Sequence, residues 1–405
     1  MSPHDSSGRR DGLPIHEWYG APARPKPVRD RYAKLARLRD LGVPAYAYSF
    51  DPTDDLASAL EKHEDEREGI QVRVAGRVES FRDMGKSAFA HLGDRSGRLQ
   101  VYFRKNDLSE IDQEVCALLD LGDWIGVEGE LFRTRTGEVT VRVDRLELLA
   151  KSMRPLPLGK TVVADDGESI VHSGFADVES RYRQRYADLA VNPDVRAVFV
   201  IRARIISALR ALLDSDGYLE VETPVLQPVY GGACARPFTT HHHSLDRTLF
   251  LRIADELYLK RLIVGQLDRV YEISKNFRNE GIDRTHNPEF TMLELYRAYA
   301  DYTLMMDTAE QLVTEAALAA TGGLEIEYDG HTVNLARPWR RVAFFEAIEN
   351  FAGFDARSAD TDELRRRVRE AGRGDAEGVG RTKLLDIIFA EWVEPEFVNP
   401  TIGFD

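Results

Sequence analysis

Residues 270–302, VYEISKNFRNEGIDRTHNPEFTMLELYRAYADY, concentrate side chains suited to chemistry on a charged substrate. The pattern predicts two β-strands joined by a polar loop. Arg278 and Glu280 fall near the end of the first strand, and Phe290, Glu294 and Tyr296 on the second. Strand side chains alternate faces, so Phe290, Met292, Glu294 and Tyr296 share one side. An aromatic, a carboxylate and a phenol on one face make a floor for a ligand, and a guanidinium fork at its edge suits phosphate or carboxylate. Taken singly, each charged strand residue is ordinarily a solvated edge group. The functional reading rests on their convergence on one hairpin.

Two upstream stretches extend the pattern: GGACARPFTTHHHSLD, and FLRIADELYLKRL from Phe250 to Leu262. FRNEG followed by HNPEFT, with Glu294 four residues after Phe290, resembles motif 2 of a class II aminoacyl-tRNA synthetase. The flanking residues resemble lysyl-tRNA synthetases, from about Arg29 to the last residue. The resemblance implies ATP-dependent activation of L-lysine to lysyl-adenylate, then transfer to the 3′-terminal adenosine of tRNA(Lys). Such chemistry runs on positioning and charge neutralisation, so no protein nucleophile is required.

Carried over by motif position, Arg278 is the catalytic arginine, which also binds ATP. Glu280 and His286 contact ATP from the loop, and Phe290 stacks on adenine. Gly232, Glu256, Glu294 and Tyr296 bind lysine, with Glu256 toward the α-amino group and Glu294 with Tyr296 toward the side-chain end. Within the motif 2 loop, Thr285 stands where many bacterial relatives have Arg, and Arg284 lies one step earlier. The run His241-His242-His243 is not expected to bind metal, because neighbouring strand residues point to opposite faces. The GxGxDR segment of motif 3 is absent. The expectation is therefore a chain shortened before motif 3, weak or inactive by itself, with the Mg²⁺ ligands of the full-length enzyme beyond Asp405.

The positioning elements follow from the rest of the chain. At 405 residues, 43% hydrophobic and 30% charged, it can build two domains around proper cores. No apolar run approaches a bilayer span and no apolar signal segment opens the sequence, so a cytoplasmic protein without membrane contact is expected. Cys116 and Cys234 are expected to stay reduced. The net charge of −14 argues against a polyanion partner, but only local potential guides docking. Basic residues cluster at Arg29, Arg31, Lys34, Arg37 and Arg39 and again at Arg181, Arg183 and Arg185, giving two candidate positive patches.

The fold class expected is α+β, with an N-terminal OB-fold β-barrel followed by a class II antiparallel-sheet catalytic domain, incomplete at its C-terminus. Residues 1–27, rich in Ser, Gly, Pro and charge, are expected as a disordered tail, within which His16, Trp18 and Tyr19 have no account. A helical segment covers 28–69. Five strands with one helix after the third occupy 70–150 and fit a small β-barrel. The resemblance makes this the anticodon-binding domain, with Arg82, Phe89, Gln100 and Glu138 at the anticodon. For Phe89, the residues alone leave a place in the barrel core equally open. A linker with an insertion follows at 151–180, then the catalytic domain at 181–405. There Asn192 and Pro193 start a long helix. That helix and GYLEVETPVLQP resemble motif 1, which implies a homodimer; a buried helix within a monomer is the other reading. Alternatives in function are an aspartyl- or asparaginyl-type relative, a paralogue that lysylates a protein, and a non-catalytic tRNA-binding remnant.

Overall fold

The computed structural model describes residues 25–64, 69–158, 160–163, 169–172, 175–370, 372, 376 and 378–404. His16, Trp18 and Tyr19 lie outside them. The chain divides into two compact units, residues 1–196 and 197–405.

The first unit is built on strands β1 (Gln71–Asp83), β2 (Ser87–Gly93), β3 (Arg98–Arg104), β4 (Trp124–Arg133) and β5 (Val139–Ala150), closed into a barrel in the order β1-β2-β3-β5-β4. Strict alternation fills its core: Val72, Val74 and Val78 on β1, Ala88, Ala90 and Leu92 on β2, and Leu99, Val101 and Phe103 on β3. On β5 the phase changes. A bulge at the Glu128/Gly129 register shift lets Val141 and Val143 point inward, then Leu146 and Leu148, two consecutive odd positions followed by two even ones. Gly129 is required there, because a Cβ would sit 1.9 Å from the Arg142 carbonyl oxygen.

Helices α1 (Lys26–Asp40), α2 (Leu56–Glu61) and α3 (Glu110–Ala117) belong to this unit. α1 buries Leu35 and Leu38, and its basic residues are largely spent on the barrel. Arg31 donates to the carbonyls of Ser152 (2.6 Å) and Leu121 (2.8 Å). Lys34 reaches Asp120 at 2.7 Å and Arg37 reaches Glu114 at 3.6 Å. The second basic cluster is likewise paired: Arg181 and Arg185 with the buried Asp188, Arg183 with Glu179. Arg31, Lys34, Arg181 and Arg185 are thus taken up by local carbonyls and carboxylates, while Arg29, Arg37 and Arg39 stay exposed. The Asn192 side chain donates to Asp188. Part of the linker forms a hairpin, β6 (Lys160–Val163) with β7 (Ser169–His172), followed by α4 (Val178–Arg183) and α5 (Arg185–Val191).

α6 (Pro193–Ser215) leads into the second unit. Its strands are β8 (Leu219–Glu220), β9 (Leu226–Gln227), β10 (Thr239–His242), β11 (Arg247–Leu251), β12 (Arg269–Phe277) and β13 (Glu289–Arg297), with α7 (Glu256–Val264) between β11 and β12. One sheet runs β13-β12-β8, its β12–β13 pair antiparallel and β8 parallel to β12 over two residues; another runs β10-β11-β9. One face of β12–β13 is apolar: Tyr271, Ile273, Leu293 and Leu295 pack with Leu213 of α6 and Leu312 of α8 (Tyr302–Thr321). The hairpin β14 (Glu325–Tyr328) and β15 (His331–Asn334) turns at Asp329-Gly330, both with positive φ. Helices α9 (Phe344–Ala352), α10 (Thr361–Glu370) and α11 (Arg381–Trp392) then form a separate core beside the parallel pair β16 (Arg340–Ala343) and β17 (Thr401–Phe404).

Candidate functional site

The other face of the β12–β13 hairpin is polar and largely buried. Cross-strand partners share a face, and the register pairs Glu272 with Glu294, Ser274 with Met292 and Asn276 with Phe290. Glu272, Ser274 and Asn276 are under 10% exposed. Buried polar groups need partners, and the segment after β11 supplies them. Arg252 donates to Glu272 Oε1 (2.7 Å), to the Thr223 hydroxyl (3.1 Å) and, through Nε, to the Lys275 carbonyl (2.9 Å). Asp255 accepts from the Ser274 hydroxyl at 2.6 Å. Its other oxygen lies 3.2 Å from Arg252 in an ion pair that lacks hydrogen-bond geometry. Burial pushes the Asp255 carboxyl above its ordinary range, against the Ser274 bond and the Arg252 charge.

Four residues, Ile253–Glu256, tie the candidate side chains together. Arg278 Nε reaches the Ile253 carbonyl at 3.4 Å, and its guanidinium lies 5.1 Å from the Phe290 ring centre. Glu294 accepts the Asp255 amide at 3.1 Å and the Tyr296 hydroxyl at 3.2 Å. Gly232, at φ 87°, faces Ala254 and Glu256; a Cβ there would come within 2.8 Å of the Glu256 Cβ. A side chain at 232 is therefore excluded by space as well as by backbone conformation. Glu256 opens α7, where the helix dipole favours a carboxylate, and binds Lys260 at 2.6 Å. Burial, then the charges of Asp255 and Glu256, raise the Glu294 carboxyl; burial and Glu294 raise the Tyr296 phenol.

The loop between β12 and β13 is ordered by Asp283. It accepts the amides of Thr285 and His286 (both 2.7 Å) and the His286 ring nitrogen (2.8 Å), which together hold its carboxyl far below the usual range. His286 is thereby positioned although exposed, while Glu280 and Arg284 are exposed near it. Thr285 serves the same turn through its hydroxyl, 3.0 Å from Asp283. Among the described residues no group of three or more His, Cys, Asp or Glu side chains is arranged to hold a metal ion.

A second constellation lies on the outer face of the barrel. Ala88 and Ala90 fill the interior, so Phe89 points outward; its ring meets Tyr102 at 4.7 Å, and Tyr102 meets Phe132 at 6.1 Å. Arg82 is opposite Phe89 in the β1–β2 register and exposed. Gln100 donates to Glu138 (2.7 Å) and accepts from Thr140 (2.8 Å). Glu138 also binds His91 at 2.8 Å, whose other ring nitrogen meets Ser80 at 2.8 Å. Ring faces beside amide and carboxylate groups suit an unstacked base: stacking on one side, hydrogen bonds to its edge on the other.

Sequence reasoning missed Arg252, Asp255, Glu272, Ser274 and Asn276 beneath the hairpin, and His91, Tyr102 and Thr140 on the barrel. A signal existed for the first group: Glu272, Ser274 and Asn276 recur at period two in a strand whose alternate positions are Tyr271, Ile273, Lys275 and Phe277, apolar or aromatic but for Lys275. Nothing comparable singles out His91.

The description "tRNA synthetases class II (D, K and N)" fits residues 177–375, and "OB-fold nucleic acid binding domain" fits residues 72–149. The lysine–tRNA ligase of Carboxydothermus hydrogenoformans is 47% identical over 379 residues, 93% of this chain and 75% of that protein. That of Christiangramia forsetii is 47% identical over 381 residues, 93% and 66% of the respective lengths. That of Syntrophomonas wolfei is 46% identical over 375 residues, 92% and 73%.

Proposed function

The chain belongs to the lysyl-tRNA synthetase family, and on that premise we propose that it activates L-lysine with ATP and transfers the lysyl group to the 3′-terminal adenosine of tRNA(Lys). The observation that carries the reading is the segment Ile253–Glu256, which Arg278, Glu294 and Gly232 all touch. An amino acid with two ammonium groups needs two separate anionic acceptors; Glu256 ends that segment and Glu294 accepts its Asp255 amide.

In the first step the lysine carboxylate attacks the α-phosphorus of ATP, and the bond to the bridging oxygen breaks to release pyrophosphate. Arg278 spreads its charge over the phosphate oxygens, and its hold strengthens as negative charge builds in the transition state. Phe290 offers the purine a ring face, and His286, braced by Asp283, contacts ATP from the loop, as does Glu280. In the second step the terminal ribose hydroxyl of tRNA attacks the lysyl carbonyl carbon and AMP leaves. Phe89 stacks an anticodon base whose edge Gln100 and Glu138 read, with Arg82 on the backbone. ATP and Mg²⁺ serve class II lysyl-tRNA synthetases in general; no step here runs through the metal.

We further propose a homodimer through α6 and the segment after it. Val198, Phe199 and Val200 on α6 are 49–62% exposed, and Leu226 and Val229 beyond it are 48% and 64% exposed, too much apolar surface for a helix buried in a monomer. No helix among the described residues is long and apolar enough to cross a membrane, which is compatible with work in the cytoplasm. Lysine-dependent ATP–pyrophosphate exchange tests the reading. Exchange driven by aspartate or asparagine in place of lysine would transfer the chain to the neighbouring specificities.

A further inference from the structure

We propose that Lys260 is an internal placeholder for the substrate's α-ammonium, pairing with Glu256 before lysine binds and yielding it when lysine enters. The inference rests on the reading of Glu256, Glu294 and Tyr296 as the lysine site.

A Glu–Lys pair four residues apart on a helix is by itself an ordinary surface feature. Contacts from outside the helix distinguish this one. The Lys260 ammonium lies 2.6 Å from Glu256 Oε1 and 5.8 Å from the ring centre of Tyr296, on a separate strand. The hydroxyl of that ring donates to Glu294. One primary ammonium therefore contacts both halves of the proposed site. The second Glu256 oxygen faces Gly232, 3.6 Å from where a Cβ would stand. The backbone of 232 thus bounds the carboxylate on one side and Lys260 on the other.

The chemistry explains why such a group belongs there. Asp255, Glu256 and Glu294 crowd together, and the nearby Arg252 is engaged with Glu272 and Asp255. Without a cation, Glu256 would face the like charges of Asp255 and Glu294 unpaired. Lys260 supplies that cation on a flexible stem, its side chain 58% exposed and free to swing outward. An incoming α-ammonium then replaces one ion pair with an equivalent one.

The test is calorimetric titration of the full chain with L-lysine and with 6-aminohexanoate, which keeps the side-chain ammonium and lacks the α-amino group. In Lys260→Met the L-lysine Kd should fall about two- to fivefold, the scale of an exposed ion pair. The Kd for 6-aminohexanoate should stay unchanged, and Lys260→Arg should stay near the parent for both ligands. Lys260→Gln repeats the measurement if the Met variant does not fold. L-lysine binding that is unchanged or weaker in the neutral variants overturns the proposal, as does an equal gain for both ligands. Failure of the parent to bind lysine at all would instead overturn the reading of the site, and the placeholder with it.

Discussion

The polar face of the β12–β13 hairpin and the outer face of the barrel both fix carboxylates with side-chain partners, a guanidinium and a hydroxyl in one, an amide and an imidazole in the other, but in opposite solvents. Asp255 and Glu272 are at most 4% exposed, whereas the Glu138 side chain is 47% exposed. Beneath the hairpin every charge has lost its water and depends on its neighbours, so the network is rigid and costly to interrupt. On the barrel, water stands ready to replace any partner, so the face can exchange its internal bonds for those of a ligand. A site for a small dication is thus prepared by burial, and a face for a large polyanion by exposure.

The severest break in this contrast is Arg252→Ala. It strands Glu272 and Asp255 without their cation and should cost about 3–5 kcal/mol, read by urea unfolding of the second unit. Gln100→Ala on the barrel should shift unfolding of the first unit by less than about 0.5 kcal/mol; comparable losses from both would erase the distinction. Next is Arg278→Ala, with an expected loss of about 10²–10³ in lysine-dependent exchange and an unchanged melting temperature. An unfolded protein would make Arg278 structural instead. Phe89→Ala should weaken binding of an anticodon-stem oligonucleotide by about 1–3 kcal/mol and leave L-lysine affinity alone.

The smallest effect is a pH dependence of opposite sign in the two regions. In the barrel, burial raises Asp120, but hydrogen bonds from Lys151 and Lys34 outweigh it and hold the carboxyl below the usual range. Its stabilisation is complete above the unfolded carboxylate pKa and is lost as pH falls through the lower folded value. Asp255 and Glu294 are raised instead, so acidification from neutrality through their folded values stabilises the hairpin while weakening its hold on an ammonium. Amide hydrogen exchange from pH 7 downward should show β12 and β13 gaining protection before the barrel loses any. L-lysine affinity should fall over the same interval, and parallel trends in the two regions would contradict the assignment.

Much of this was legible in the chain. The alternation on β1 to β4, the Asp329-Gly330 turn and the helices near 302, 344, 361 and 381 follow from periodicity and turn chemistry. The even positions of β13 announced a shared face. Other features were ambiguous in principle. Phe89 fits a barrel core as well as a barrel surface until the register puts Ala88 and Ala90 inside. Arg31 and Lys34 read as a nucleic-acid patch until carbonyls some ninety residues away claim them.

By itself the sequence determined which residues could form strands and helices, which faces would be apolar, and which side chains had the chemistry for a phosphate, an ammonium and a base. Those properties are local, set by backbone stereochemistry and side-chain type. The tertiary structure alone decided which charges meet. Arg252 with Glu272, Asp255 with Ser274 and Lys260 beneath Tyr296 join segments distant in the chain, and Coulombic and hydrogen-bond energies depend on separation in space and on excluded water, neither of which spacing along a chain encodes.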